Sequence, residues 1–234
     1  MSVNKTRRLL LVRHGETDWN AEGRIQGMLD VPLNALGLAQ ARVVGDELAR
    51  TIDVASVICS DLVRTRETAK PLIEATGFDL VFDARIRERH FGVLQGRTYA
   101  EWRAEDAAGM ARYNAGDPDY GPEGGETARG FLDRCVNAIT DMVTACDEKT
   151  LILVTHGGVV SSMYRHSQGL GFHSERTWSV PNASISEWRV EYRDDAPVFY
   201  CERIGDVAYF VHHDERRMTN DASHEVRDVV GQGR

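Results

Sequence analysis

A chain of 234 residues with a formal net charge of -8 and 42% hydrophobic residues has the length and composition of one globular domain with a full core. The acidic balance excludes the basic stripe that a nucleic-acid duplex or an anionic membrane would require, so neither is expected as a partner. A negatively charged small molecule would have to be held by a local cluster of bases.

Met1 to Arg8 is polar and basic, and the apolar run after it is too short for a signal core or a membrane span, which makes a cytoplasmic protein the expectation. Leu9-Leu10-Leu11-Val12 suits a central strand buried on both faces, and it ends abruptly in Arg13-His14. Open α/β sheets place ligands just beyond the carboxyl ends of such strands. A helix follows Asp30-Val31-Pro32-Leu33-Asn34, with Leu38, Ala41, Val44 and Leu48 on one face. Val54 to Cys59 predicts the next strand, Ser60 or Asp61 a cap for a helix beginning at Leu62, and Arg64 falls in its first turn. Arg66 is taken as a solvated charge.

Leu80 to Phe82 suits a short edge strand that feeds a glycine-rich loop, Glu88 to Gly96. Residues 98–130 form a lid-like insertion, with an amphipathic helix around Trp102 and a turn-rich stretch from Gly116 to Gly125. A strong helix begins at Glu126 or Thr127, with Phe131, Cys135, Ala138, Met142 and Ala145 as its apolar stripe. Leu151-Ile152-Leu153-Val154 repeats the buried-strand pattern and closes in Thr155-His156-Gly157-Gly158, so two strands deliver two histidines to one rim. Gly158 to His166 is predicted helical with Gly169 as its stop. Ile185–Tyr192 and Val198–Ile204 suit an antiparallel hairpin at the sheet edge.

Alternating strands and helices predict a three-layer α/β/α sandwich with a mainly parallel sheet, one domain over 1–234, with a polar tail from about residue 206. Tyr209-Phe210-Val211 could dock that tail on the domain. Cys59, Cys135, Cys146 and Cys201 have no metal or redox-pair spacing and suit reduced thiols. His212-His213 lack a third ligand at a recognisable spacing, so no metal site is expected. The sequence leaves a homo-oligomer open.

Arg13-His14-Gly15-Glu16-Thr17, then Trp19-Asn20 and Gly23-Arg24-Ile25-Gln26-Gly27, resembles the N-terminal signature of the histidine phosphatase superfamily, which includes cofactor-dependent phosphoglycerate mutases. The resemblance continues through Ser60-Asp61-Leu62 with Arg64-Thr65, Glu88-Arg89-His90-Phe91-Gly92, and His156-Gly157. It implies the same sandwich fold, with His14 as a nucleophile that becomes phosphohistidine and Glu88 as the general acid. Arg13 and Arg64 suit forked contacts to phosphate oxygens, and His156 can donate to the same group. By the same resemblance Asn20, Gln26, Gly27, Arg89 and Gly157 contact phosphate or substrate. Glu16 is expected to brace the loop, and Trp19 to pack in the core.

No metal or other cofactor is expected, because guanidinium and imidazole groups supply the charge. Under the mutase alternative, 2,3-bisphosphoglycerate would prime the enzyme. Phe91 stands where the mutase loop has a Tyr. Arg97, Arg103 and Arg112 in the insertion are outnumbered by Glu101, Glu105, Asp106, Asp117, Asp119, Glu123 and Glu126, which would repel a bisphosphorylated cofactor. Gly124-Gly125-Glu126-Thr127 with Phe131 and Arg134 resembles the phosphatase branch. The expectation is a phosphomonoesterase of small phosphorylated metabolites ahead of a phosphoglycerate mutase, with a non-catalytic phospho-ligand binder a distant third.

Overall fold

Strand β1 (Arg7–Arg13) lies between two other strands in the computed structural model, which describes residues 6–213, with side chains to 210. Its four apolar residues alternate between two cores, as a two-residue period requires. Leu9 and Leu11 face one and Leu10 and Val12 the other, each at most 1% exposed. A short turn, α1 (Asp18–Ala21), leads to α2 (Ala35–Thr51), β2 (Ser56–Cys59), α3 (Val63–Thr76) and β3 (Leu80–Phe82). The insertion holds α4 (Tyr99–Glu105) and α5 (Ala107–Asn114). Then come α6 (Ala128–Ala145), β4 (Thr150–Thr155), α7 (Gly157–Ser167), β5 (Ile185–Arg193) and β6 (Ala196–Asp206).

The sheet order is β3-β2-β4-β1-β5-β6, parallel through β1 and antiparallel in its last two strands. Helices α2 and α3 cover the face of Leu10 and Val12, and α6 and α7 cover that of Leu9 and Leu11. The mainly parallel three-layer α/β/α sandwich is the observed fold. Since β1 and β4 are neighbours with Arg13 opposite Thr155, His14 and His156 emerge side by side at one rim.

Several boundaries differ from the sequence expectation. The α2 core face is set by Gln40, Ala41, Val43, Val44 and Leu48, while Leu38 is 42% exposed. Val54 is exposed before β2 rather than part of it, and in α6 Ala145 is exposed while Ile139 and Val143 join the stripe. Neither Ser60 nor Asp61 caps α3; its N-cap is Leu62 with no side-chain bond, and both polar residues are used elsewhere. The chain past 206 still packs, for Tyr209 and Phe210 are buried beside Leu10 and Val12, and the Tyr209 hydroxyl donates to the Ala183 carbonyl. The side chains of Val211, His212 and His213, and the tail from 214, lie outside the described residues, as do Met1 to Lys5. All four cysteines are free thiols. Among the described residues no helix is long and apolar enough to cross a membrane.

Candidate active site

The loop after β1 is held from both sides. The His14 amide donates to the Thr155 carbonyl at 2.9 Å, the Gly15 amide to Thr68 Oγ1 at 3.0 Å and the Glu16 amide to Gln40 Oε1 at 2.8 Å. Gly15 sits so close to the first turn of α2 that a Cβ there would lie 2.5 Å from the Gly37 carbonyl oxygen. Asn182, just ahead of β5, donates through Nδ2 to the His14 and Gly15 carbonyls at 3.1 and 3.2 Å. Glu16 accepts from Asn34 Nδ2 at 2.9 Å and so braces the loop, as expected. Asn20 closes a capping box with Thr17 and turns toward the cavity.

His14 Nδ1 lies 2.7 Å from the Gly15 carbonyl. A carbonyl only accepts, so Nδ1 carries the proton and Nε2 keeps the lone pair. Burial, then Arg64, then Arg13, hold the His14 pKa well below the ordinary imidazole range. His156 packs edge-on against it with ring centroids 5.2 Å apart, and its Nε2 lies 2.8 Å from Ser60 Oγ. Burial and the charges of Arg64 and Arg13 push His156 down as well, so both rings are neutral. His156 is fully buried beside His14, and among the described residues its Nδ1 has no partner.

Arg64 is fully buried, and its terminal nitrogens donate to the Gly27 and Leu29 carbonyls at 2.7 and 2.8 Å. Burial pulls its pKa down to about 10, which leaves it a cation at neutral pH. Its buried Nε–H has no partner among the described residues. Buried donors are nearly always paired, so a bound anion is the natural acceptor. Gly27 makes this loop possible: its φ is +53°, and a Cβ would lie 2.1 Å from Gln95 Oε1. Arg13 donates to the Val180 carbonyl at 2.5 Å and lies against Gly157.

Glu88 reaches the same cavity from the loop after β3. Its carboxylate accepts from the Gly158 amide at 3.0 Å, at the start of α7, and from the Arg89 amide at 2.8 Å. A Cβ at Gly158 would fall 2.1 Å from Glu88 Oε1, so that glycine makes room for the carboxylate. The Glu88 backbone is suspended from Arg134 on α6, whose guanidinium donates to the Arg85, Arg87 and Glu88 carbonyls and pairs with Glu126 at 2.7 Å. Burial works against the ionised Glu126, but Arg134 and the His90 amide still hold its pKa below the usual carboxylate range.

These groups meet in a cavity of about 650 Å³, whose wall includes Arg13, His14, Asn20, Gln26, Gly27, Arg64, Glu88, Arg89 and Gly157. Gln26 is buried with its Oε1 unpartnered among the described residues, free to meet a ligand donor. Arg89 is mainly a strut: Nε and Nη2 bind the Glu126 carbonyl and Nη2 also the Tyr120 carbonyl, tying the insertion to the loop. Trp19 is half-buried on the cavity wall and not in the core, because its helix has one turn and no second face to bury. The insertion does roof the site, with Tyr113, Asn114, Ala115 and Gly116 on the wall, and it is anchored by fully buried Trp102 among Ile25, Phe91, Leu94, Met110 and Tyr120.

The acid-rich lid is not acidic where it matters. Glu105, Asp117, Asp119 and Glu126 pair with Arg97, Arg112, Arg129 and Arg134, Glu101 and Asp106 cap helices, and none of the insertion's acids is on the cavity wall. Sequence reasoning missed Ser60, Asn182, Arg165, Arg176, Tyr99 and Tyr113. Of these, only Ser60 lay within a recognised motif.

The family model described as the histidine phosphatase superfamily (branch 1) matches residues 9–203. A Citrobacter koseri protein named "Probable phosphoglycerate mutase GpmB" is 39% identical over 202 residues, covering 85% of this chain and 93% of its own. Among solved structures, Bacillus stearothermophilus YhfR superposes with a TM-score of 0.77 at 28% identity, over 87% of this chain and 98% of that one. A mycobacterial glucosyl-3-phosphoglycerate phosphatase complexed with VO3 gives 0.74 at 28% identity, over 84% and 97%.

Proposed function

Because this chain belongs to the histidine phosphatase superfamily, branch 1, we propose that it is a phosphomonoesterase of small phosphorylated metabolites that works through phosphohistidine on His14. The superfamily makes it a phosphatase or a mutase. The observation that carries the reading is the neutral His14, its Nε2 lone pair available beside Arg13 and the unpartnered Nε–H of Arg64. Nε2 attacks phosphorus, the N–P bond forms, the ester P–O bond breaks, and protonated Glu88 delivers its proton to the departing alkoxide. Water then attacks the phosphohistidine, Glu88 takes its proton, and phosphate leaves with His14 restored. Arg13, Arg64 and an imidazole N–H of His156 would stabilise the charge on the equatorial oxygens. With that charge supplied by side chains, the reaction is proposed to need neither metal nor organic cofactor.

Hydrolysis is favoured over mutase turnover by Phe91, which brings no hydroxyl to the cavity wall, and by the phosphatase among the similar structures. The mutase reading is supported by the curated relatives and by the arginines of the wall, and under it 2,3-bisphosphoglycerate would be required. A panel of phosphorylated metabolites, including 3-phosphoglycerate with and without 2,3-bisphosphoglycerate, separates the two when released phosphate and isomerised product are both measured. Phosphate release exceeding isomerisation for every substrate is expected; efficient formation of 2-phosphoglycerate with little phosphate release would establish the mutase.

A further inference from the structure

Ser60 follows the last residue of β2, and β4 lies between β2 and β1, so His156 is flanked by Ser60 on one side and by His14 on the other. The serine is held in place by its backbone: its amide donates to the Val154 carbonyl at 2.9 Å, and its carbonyl accepts from Thr65 Oγ1 at 2.7 Å. Ser60, Thr65 and His156 are all fully buried. Among the described residues the Ser60 hydroxyl has one partner, His156 Nε2 at 2.8 Å, and His156 Nδ1 has none. The contact can be made in two ways. If Nε2–H donated, the serine proton would have no acceptor and Nδ1 would be a lone pair with no donor, two unmet groups in a fully buried place. If the serine O–H donates to Nε2, only the Nδ1–H is left over. Buried polar groups are rarely left unpaired, and a bound anion can meet a leftover N–H but would be repelled by a leftover lone pair. Burial and the nearby guanidinium groups keep the ring neutral, so it has a tautomer to be set.

We propose that Ser60 is a positioning residue that holds His156 as its Nδ1–H tautomer, so that Nδ1–H is the donor His156 offers to the transferred phosphoryl group. The inference rests on the phosphoryl-transfer reading of the site, and it names the donating atom and the residue that prepares it. The Gly15 carbonyl does the corresponding work for His14. One ring is fixed by an acceptor at Nδ1 and the other by a donor at Nε2, and both reach the same tautomer. His14 then turns a lone pair to phosphorus while His156 turns a hydrogen to an oxygen. In its other tautomer His156 would set a lone pair against the phosphoryl oxygens and oppose the transfer.

Long-range ¹H–¹⁵N correlation spectra of the protein labelled at histidine distinguish a ring nitrogen that carries hydrogen from one that carries a lone pair, with His14→Ala and His156→Gln assigning the two rings. The wild-type protein is expected to show hydrogen on Nδ1 of both. Ser60→Ala, which removes the hydroxyl without adding bulk, should leave the His14 pattern as it is and turn His156 into a mixture of tautomers. In a rapid-quench burst with an alkyl phosphate the same variant should be about 10- to 100-fold slower, the range of a hydrogen bond to a charged group. Hydrogen on His156 Nε2 in the wild type overturns the assignment whatever the variant does, as does an unchanged His156 pattern in Ser60→Ala. A disturbance of both rings in Ser60→Ala would mean that the serine only packs the rim, and an unchanged burst beside an altered His156 pattern would remove Nδ1–H from the transfer. The tautomer is read without turnover, so a wild type with the expected pattern and no burst on any ester would count against the phosphatase reading alone.

Discussion

His14 and His156 are buried side by side against two guanidinium groups, and this placement gives the protein a pH signature. Both folded-state pKa values lie well below 6.5, so the nucleophile stays neutral on cooling the pH from 8 to 6, and kcat/KM for a phosphate ester should show no acid limb from His14 above pH 6. Stability behaves differently. Below about pH 6.5 histidines in the unfolded chain take up protons that the folded protein does not, so stability falls with pH at up to about 1.4 kcal/mol per unit for each ring. Urea titrations between pH 7 and 5.5 should show this slope, and His156→Gln should flatten it; an identical slope in the variant would mean that His156 is not buried neutral. Glu88 has its own test in the leaving group. Glu88→Gln should slow the burst with an alkyl phosphate by about 10²- to 10⁴-fold and with a nitrophenyl phosphate far less. Gly158→Ala should do the same in milder form, since its Cβ would displace the Glu88 carboxylate. Equal losses for both esters would remove Glu88 from the acid role.

The elements divide between those that carry side chains to the rim and those that hold the carriers. Arg134 on α6 is of the second kind, because its guanidinium fixes the carbonyls of Arg85, Arg87 and Glu88. Arg134→Ala should lower kcat about 10- to 100-fold, as small misplacements of catalytic groups do, with KM little changed; a KM effect alone would mean that Arg134 binds substrate instead. How much of this was legible follows from physical scale. β1 and β4 stand out as uninterrupted apolar runs, and they alone bring His14 and His156 to one edge. The motif residues Arg64 and Glu88 reached the same cavity through contacts that no periodicity reports. Ser60 was mistaken for a cap because a small polar residue before a helix has the same signature whether it binds the helix amides or, as here, a buried histidine. In the sequence Glu126 and Arg134 stand as a branch marker, a helix start and one of the lid's acids; that Arg134 also holds the Glu88 loop joins residues 46 apart, which no local pattern reports. The lid's acids misled because charge counted along a chain says nothing of direction, and most are spent on arginines and helix caps facing away from the site.

At the scale of the whole molecule, an acidic protein lines one cavity with six arginines against two carboxylates. The field inside therefore opposes the net charge, and anionic substrates should be captured at a rate that falls as ionic strength rises. Stopped-flow binding of a phosphonate at 10 and 300 mM salt measures this, and salt-independent association would contradict it. Among the described residues no group of three or more His, Cys, Asp or Glu is placed to hold a metal ion, and the proposed charge comes from guanidinium and imidazole groups. Activity should survive exhaustive chelation within about twofold, whereas strict dependence on added magnesium or zinc would require a different mechanism.

The central claim is that the phosphoryl group passes through His14 Nε2. Rapid quenching of the protein with a ³²P-labelled phosphate ester should trap acid-labile, base-stable label on the peptide containing His14, in wild type and in Glu88→Gln but not in His14→Ala. Label that persists in His14→Ala and disappears in His156→Ala would contradict the account.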